Sequence, residues 1–189
     1  ITDSTVLTGD IIGARGEYSS VEEIVIRGSS IRLNDEYTYN YCTIGGGTNG
    51  SFGSIDIQNS QIHIPSSGGN TAIGNGWQVY YNRESRIRIA NSEVSVRCAS
   101  LGPAIGAAWD SGSGRINILI ENSTVTAKGG NLRTDGNYVP GIGKNALGRA
   151  PEIGIQILNS TVDSFRLTEK GGTNYVYDDL HTKELPGIP

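Results

Sequence analysis

Residues 118–127 read Ile118-Leu119-Ile120-Glu121-Asn122-Ser123-Thr124-Val125-Thr126-Ala127. Two isoleucines at alternate positions lead into an Asn-Ser step, and a second alternating apolar pair follows it. Working outward, the same arrangement runs through Ile24-Val25-Ile26, Gly28-Ser29, Ile31 and Leu33, then through Ile55, Ile57, Asn59-Ser60, Ile62 and Ile64. It returns at Ile87, Ile89, Asn91-Ser92, Val94 and Val96, and again at Ile155, Ile157, Asn159-Ser160 and Val162. A partial copy opens the chain as Ile1, Asp3-Ser4 and Val6. The serines stand at 29, 60, 92, 123 and 160, spaced by 31, 32, 31 and 37 residues. Self-similarity at a fixed period of this size is the signature of a stacked architecture.

Within each copy, alternation with a period of two marks strands with one face turned inward. β-branched residues fill the inward positions, as strands favour. The Asn-Ser or Gly-Ser step suits a tight turn, since Asn tolerates the left-handed backbone region. Stacking Asn59, Asn91, Asn122 and Asn159 predicts an amide ladder. A second recurring signal, Ile12-Gly13, Ile44-Gly45, Ile73-Gly74, Ile105-Gly106 and Ile142-Gly143, predicts a third inward wall with a glycine that brings backbones close.

Composition fits a one-dimensional stack. Glycine contributes 27 of 189 residues, roughly twice an average share, and Met is absent. The apolar fraction of 36% is low for a thick globular core but sufficient for a thin aliphatic column. A net charge of −4 argues against a nucleic-acid partner, which wants a basic face. No apolar run reaches the roughly 18 residues of a membrane span. The chain has neither an initiating Met nor a signal-peptide core, and it enters in mid-repeat, so missing upstream sequence is expected. Cys42 and Cys98 occupy different places in their repeats, and a bond between them would have to skip one, so both are expected to be buried free thiols.

Three strand-like segments per repeat resemble the right-handed parallel β-helix of the pectate-lyase-like superfamily. The closest resemblance is to bacterial cell-surface β-helix repeat proteins, in which an Ala-Ile-Gly step (Ala104-Ile105-Gly106) alternates with the Ile-x-Ile-x-Asn-Ser-x-Val-x-Ala pattern of residues 118–127. The resemblance covers residues 1–164. It implies an all-β, right-handed, single-stranded solenoid of about 30–32 residues per turn and about five to six turns. It also implies a secreted or cell-surface location. Residues 165–189 break the pattern and are expected to form an irregular cap or tail, a partial last layer or a linker being the alternatives.

Relatives of this fold include polysaccharide lyases and glycoside hydrolases, which need paired carboxylates across a groove. The one Asp-Asp pair, Asp178-Asp179, lies in the tail, while Glu93, Glu121 and Asp163 stand at unequal offsets and read as solvated turn charges. Arg86 and Arg88 read as the solvent face of one strand. His63 sits between Ile62 and Ile64 and points outward, with no partner at matching places for a metal site or triad. Gly45-Gly46-Gly47 lacks the Lys and hydroxyl residue of a phosphate loop. No ligand-dense loop marks a calcium site, although calcium stays open, and no cofactor is expected.

The aromatics carry the functional expectation. Trp77 and Trp109 each stand four residues past the Ile of an Ile-Gly step, which places them one above the other, about 4.8 Å apart in a regular stack. Tyr80 and Tyr81 share the loop of Trp77, and Asn75 and Asp110 flank the two indoles. One reading is a small hydrophobic cluster that folds the loops down. The other is a flat strip whose indole faces stack on sugar rings. Tyr37, Tyr39 and Tyr41, with Tyr138 at a comparable place, form a second aromatic group. The leading expectation is a non-catalytic surface module binding a polysaccharide or cell-surface glycan through Trp77, Trp109, Tyr80, Tyr81, Asn75 and Asp110. A polysaccharide lyase or glycoside hydrolase and a structural adhesin spacer are the alternatives.

Overall fold

The computed structural model describes residues 1–8, 12–14, 16, 18–33, 42–67, 71–77, 83–99, 102–108, 111–112, 114–130, 139–144, 151–164 and 173–177. These residues form seventeen strands and no helix. Numbered in chain order, the strands belong to three sheets. Sheet 1 holds β2 (Ile12–Ala14), β5 (Ile44–Gly46), β8 (Ile73–Asn75), β11 (Ile105–Ala107) and β14 (Ile142–Lys144). Sheet 2 holds β3 (Ser20–Arg27), β6 (Ser51–Gln58), β9 (Arg83–Ala90), β12 (Gly114–Glu121), β15 (Glu152–Leu158) and β17 (Thr173–Tyr177). Sheet 3 holds β1 (Thr5–Thr8), β4 (Ser30–Leu33), β7 (Gln61–Ser67), β10 (Glu93–Cys98), β13 (Thr124–Lys128) and β16 (Thr161–Ser164). Every pairing is parallel, and up to β16 each strand pairs with the strand three places later in the chain. The chain therefore visits the three sheets cyclically, an arrangement consistent with a parallel β-helix.

The register is the repeat made physical. Ile24, Ile55, Ile87, Ile118 and Ile155 align in one column, and Ile26, Ile57, Ile89, Ile120 and Ile157 in the next. Sheet 3 contributes Ile31, Ile62, Val94 and Val125, and sheet 1 contributes Ile44, Ile73, Ile105 and Ile142, all buried in the same core. Each buried Ile is worth roughly 1.5–3 kcal/mol against leaving it exposed. A one-residue slip would turn a whole wall outward, so the register is strongly specified.

The corner between sheets 2 and 3 is built differently from the expected amide ladder. Asp3, Gly28, Asn59, Asn91, Asn122 and Asn159 all adopt left-handed backbone, with φ from 45° to 57°. The four asparagine side chains are exposed. The serines make the ladder instead. The N–H groups of Ser29, Ser60, Ser92 and Ser123 donate to the hydroxyls of Ser60, Ser92, Ser123 and Ser160 at 3.0–3.1 Å. Each of these hydroxyls donates in turn to the carbonyl two residues before it, as Ser92 does to Ala90 at 2.7 Å. Asn is selected for its backbone conformation and Ser for its hydroxyl.

In sheet 1, Gly13, Gly45, Gly74, Gly106 and Gly143 have φ between 131° and 143°, a region closed to L side chains. A Cβ on any of the first four would overlap the carbonyl oxygen of the next glycine in the column. Both cysteines are buried thiols outside any disulfide. The Cys42 Sγ–H group lies 3.1 Å from the Ile44 carbonyl and 3.2 Å from the Gly74 carbonyl. Within 165–189, residues 173–177 add β17 to β15 in unbroken register from Ile153↔Thr173 to Ile157↔Tyr177, so one strand of this segment continues the stack.

Candidate corner site

The corner leaving sheet 1 is where the aromatic expectation falls. Ile73 and Ile105 are in register, and Trp77 stands just past β8. Trp77 is half-buried. Its carbonyl accepts the Asn49 N–H at 2.9 Å, and the Gly76 N–H donates to the Gly46 carbonyl at 2.6 Å, so the backbone of the corner is tied to the preceding layer. Asn75 closes β8 and is buried, with 7% of its surface exposed. The Asn75 carbonyl accepts from Thr71 Oγ1 at 2.6 Å and from the Ala108 N–H at 3.1 Å. The side-chain oxygens of Asn49 and Asn75 are buried without a hydrogen-bond partner among the described residues. A buried acceptor left in that state costs roughly 1–3 kcal/mol.

Of the six expected site residues, Trp77 and Asn75 come to this one corner. Trp109, Tyr80, Tyr81 and Asp110 lie outside the described residues, as do Tyr37, Tyr39, Tyr41 and Tyr138. Asn75 sits behind the corner rather than on it: it is the last residue of β8 and is buried.

The outward face of sheet 2 carries a charge array that the repeat pattern alone did not single out. Asp56 and Arg88 are directly opposed in register, and Arg88 Nη1 lies 3.2 Å from Asp56 Oδ1. Arg88 also donates from Nε to Glu121 Oε1 at 2.7 Å and pairs with that carboxylate through Nη2. Arg27 reaches Asp56 at 3.5 Å, and Gln58 Nε2 donates to Asp56 at 2.5 Å. Arg27, Asp56, Arg88 and Glu121 therefore alternate in sign through four successive strands. Partial burial works against the Arg88 charge, but its hydrogen bonds and attraction to Glu121 and Asp56 outweigh that and raise its pKa. Arg88 and Glu121, read from sequence as solvated charges, are paired with each other. The signal lay in the matched offsets of Asp56 and Arg88, each between the two isoleucines of its strand.

His63 is exposed on sheet 3, as expected. Among the described residues no three His, Cys, Asp or Glu side chains converge on a common point, and no helix is long and apolar enough to cross a membrane. An open polar groove of about 380 Å³ lies at the β1 end of the serine corner, lined by Asp3, Ser4, Thr5, Ser29, Asn59 and Gln61 among others. Burial pushes the Cys42 thiol up to about 12, which removes it as a nucleophile.

Comparison of the chain with family models, with curated proteins and with solved structures finds no match.

Proposed function

We propose that the chain is a non-catalytic glycan-binding module of a secreted or cell-surface protein, wound as a right-handed solenoid of the pectate-lyase-like kind. Ligand contact is assigned to the corner leaving sheet 1. The observation that carries this reading is the half-buried Trp77, held on a backbone bonded to the layer before it and following a strand, β8, that is in register with β11. A fixed indole offers a sugar ring a flat apolar face at little entropic cost, while the Trp77 Nε1 edge is turned into the protein. Asn75 acts from beneath, by holding the corner's shape through its carbonyl bonds to Thr71 and Ala108. Trp109, Tyr80, Tyr81 and Asp110 complete the proposed contact set.

Affinity electrophoresis against a panel of neutral and acidic polysaccharides tests this. The wild-type chain is expected to be retarded by at least one polymer, and the Trp77→Ala/Trp109→Ala double variant to lose that retardation by tenfold or more in apparent affinity. Equal retardation of the folded double variant and the wild type on every polymer would rule the corner out as the binding site.

A further inference from the structure

Asn49-Gly50 and Asn75-Gly76 stand in successive layers, and no other asparagine of the chain is followed by glycine. The pair is chemically labile, because glycine has no Cβ to keep its nitrogen away from the preceding side chain. That nitrogen gives up its proton to base and bonds to the asparagine Cγ, and the side-chain amide leaves as ammonia. A five-membered imide results. Solvent water then opens one or other imide carbonyl, leaving aspartate or β-linked isoaspartate.

At Asn75 the fold withholds the nitrogen. The Gly76 N–H donates to the Gly46 carbonyl of the neighbouring layer at 2.6 Å. A Cβ on Gly76 would lie only 2.8 Å from the Gly47 carbonyl, so this stretch of backbone is packed against that layer with no space to swing. On the other side the Asn75 carbonyl accepts the Ala108 N–H at 3.1 Å. Freeing the Gly76 nitrogen therefore means parting layers, a larger opening than the fraying of a loop. The product does not fit back. Asn75 shares a column with Ala14, Gly46 and Ala107, all buried. Aspartate sets a charge there, and isoaspartate adds a main-chain carbon between bonds whose spacing the two neighbouring layers fix. Asn49 is the contrast. It is half-buried, its left-handed backbone also suits aspartate, and the Gly50 N–H bond at 3.0 Å closes on Gly47 within one turn.

We propose that Asn75-Gly76 is a self-modifying latch against refolding. The pair stays an amide while the layers around β8 are stacked, and it converts to aspartate or isoaspartate once they part. A converted chain cannot rebuild the contact between β8 and its neighbours, so the longer the chain stays open, the smaller the share that can return. The latch is independent of glycan binding at the same corner.

Peptide mapping by mass spectrometry tests it, on chain kept folded in buffer and chain kept unfolded in guanidinium chloride at the same pH and temperature. Conversion at Asn75 is expected to run at least about a hundredfold slower in the folded chain. When the unfolded sample is diluted into buffer, converted Asn75 is expected to be depleted at least about tenfold in the refolded fraction, while converted Asn49 divides more evenly. Asn75→Ala places at this position the residue that Ala14 and Ala107 hold in the same column. That variant is expected to fold and to keep its refolding yield however long it has been unfolded. Similar conversion rates at Asn75 in the two states overturn the proposal. So does converted Asn75 that refolds as well as intact Asn75, and so does an Asn75→Ala chain whose yield decays as fast as that of the wild type.

Discussion

Gly74 shows how little freedom a single position in this stack has. Its φ of +136° excludes an L side chain, and a Cβ there would overlap the backbone carbonyl of Gly106, which the sheet 1 ladder holds in place. Gly74→Ala is expected to destabilise the chain by about 3 kcal/mol or more, combining backbone strain with overpacking. Gly16 is the control: its φ is +105°, but nothing lies within 4 Å of its Cβ position, so Gly16→Ala carries only the strain of about 1–3 kcal/mol. Urea unfolding of the two variants side by side checks the difference, and equal losses would remove the column overlap as the cause. Cys42 gives a pH dependence at the same scale. Its thiol titrates near 12 in the folded chain against a reference value of 9.0, chiefly because it is buried. Below 9 the thiol is protonated in both states and the contribution is fully present. Between 9 and 12 only the unfolded chain ionises, so stability falls by up to about 1.4 kcal/mol per pH unit. Thermal melts from pH 8 to 11 should decline less steeply for Cys42→Ala than for the wild-type chain, and parallel declines would reject this assignment.

Among elements, the outward rows of sheet 2 distinguish β6, β9 and β12 from their repeats. Asp56 is nearly buried, and Arg88 links it to Glu121 across three strands. Isolated surface pairs contribute about 0–1 kcal/mol, but a bridging guanidinium between two carboxylates is a network in which removing the centre leaves like charges behind. Arg88→Ala is expected to cost about 1–2 kcal/mol, with a coupling to Glu121→Ala of about 0.5–1 kcal/mol at low ionic strength that shrinks in 1 M salt. A double-mutant cycle by urea unfolding measures it, and zero coupling at low salt would show that the two side chains act separately. This array was hard to read from sequence because Asp56 and Arg88 looked like ordinary outward positions until register set them side by side. The serine corner was misread for a related reason. Asn59, Asn91, Asn122 and Asn159 advertise an amide ladder, yet each is required by its left-handed backbone, and the adjacent serine supplies the hydrogen bond.

At the scale of the whole molecule, the cyclic order of the three sheets was legible because identical layers must present identical columns. Ile24, Ile55, Ile87, Ile118 and Ile155 stand at equivalent places in the repeat and meet in one column. The candidate site was legible only in part. Matched offsets from Ile73 and Ile105 point Trp77 and Trp109 toward one corner, of which the described residues include Trp77, but no offset marks Asn75 as buried, and loops follow no period. That contrast has a use. Ser123 and Ser160 are 37 residues apart, against 31 or 32 for the steps from Ser29 to Ser123 and 25 from Ser4 to Ser29, yet the Ser123 N–H still meets the Ser160 hydroxyl at 3.0 Å. The additional residues are taken up entirely between strands, and the serine ladder does not register them. Chain length at the corners is thus decoupled from the spacing of the layers, so this scaffold can gain or exchange loop segments without renegotiating its core. New surface chemistry in such a molecule arises by insertion, at places the ladders leave uncounted.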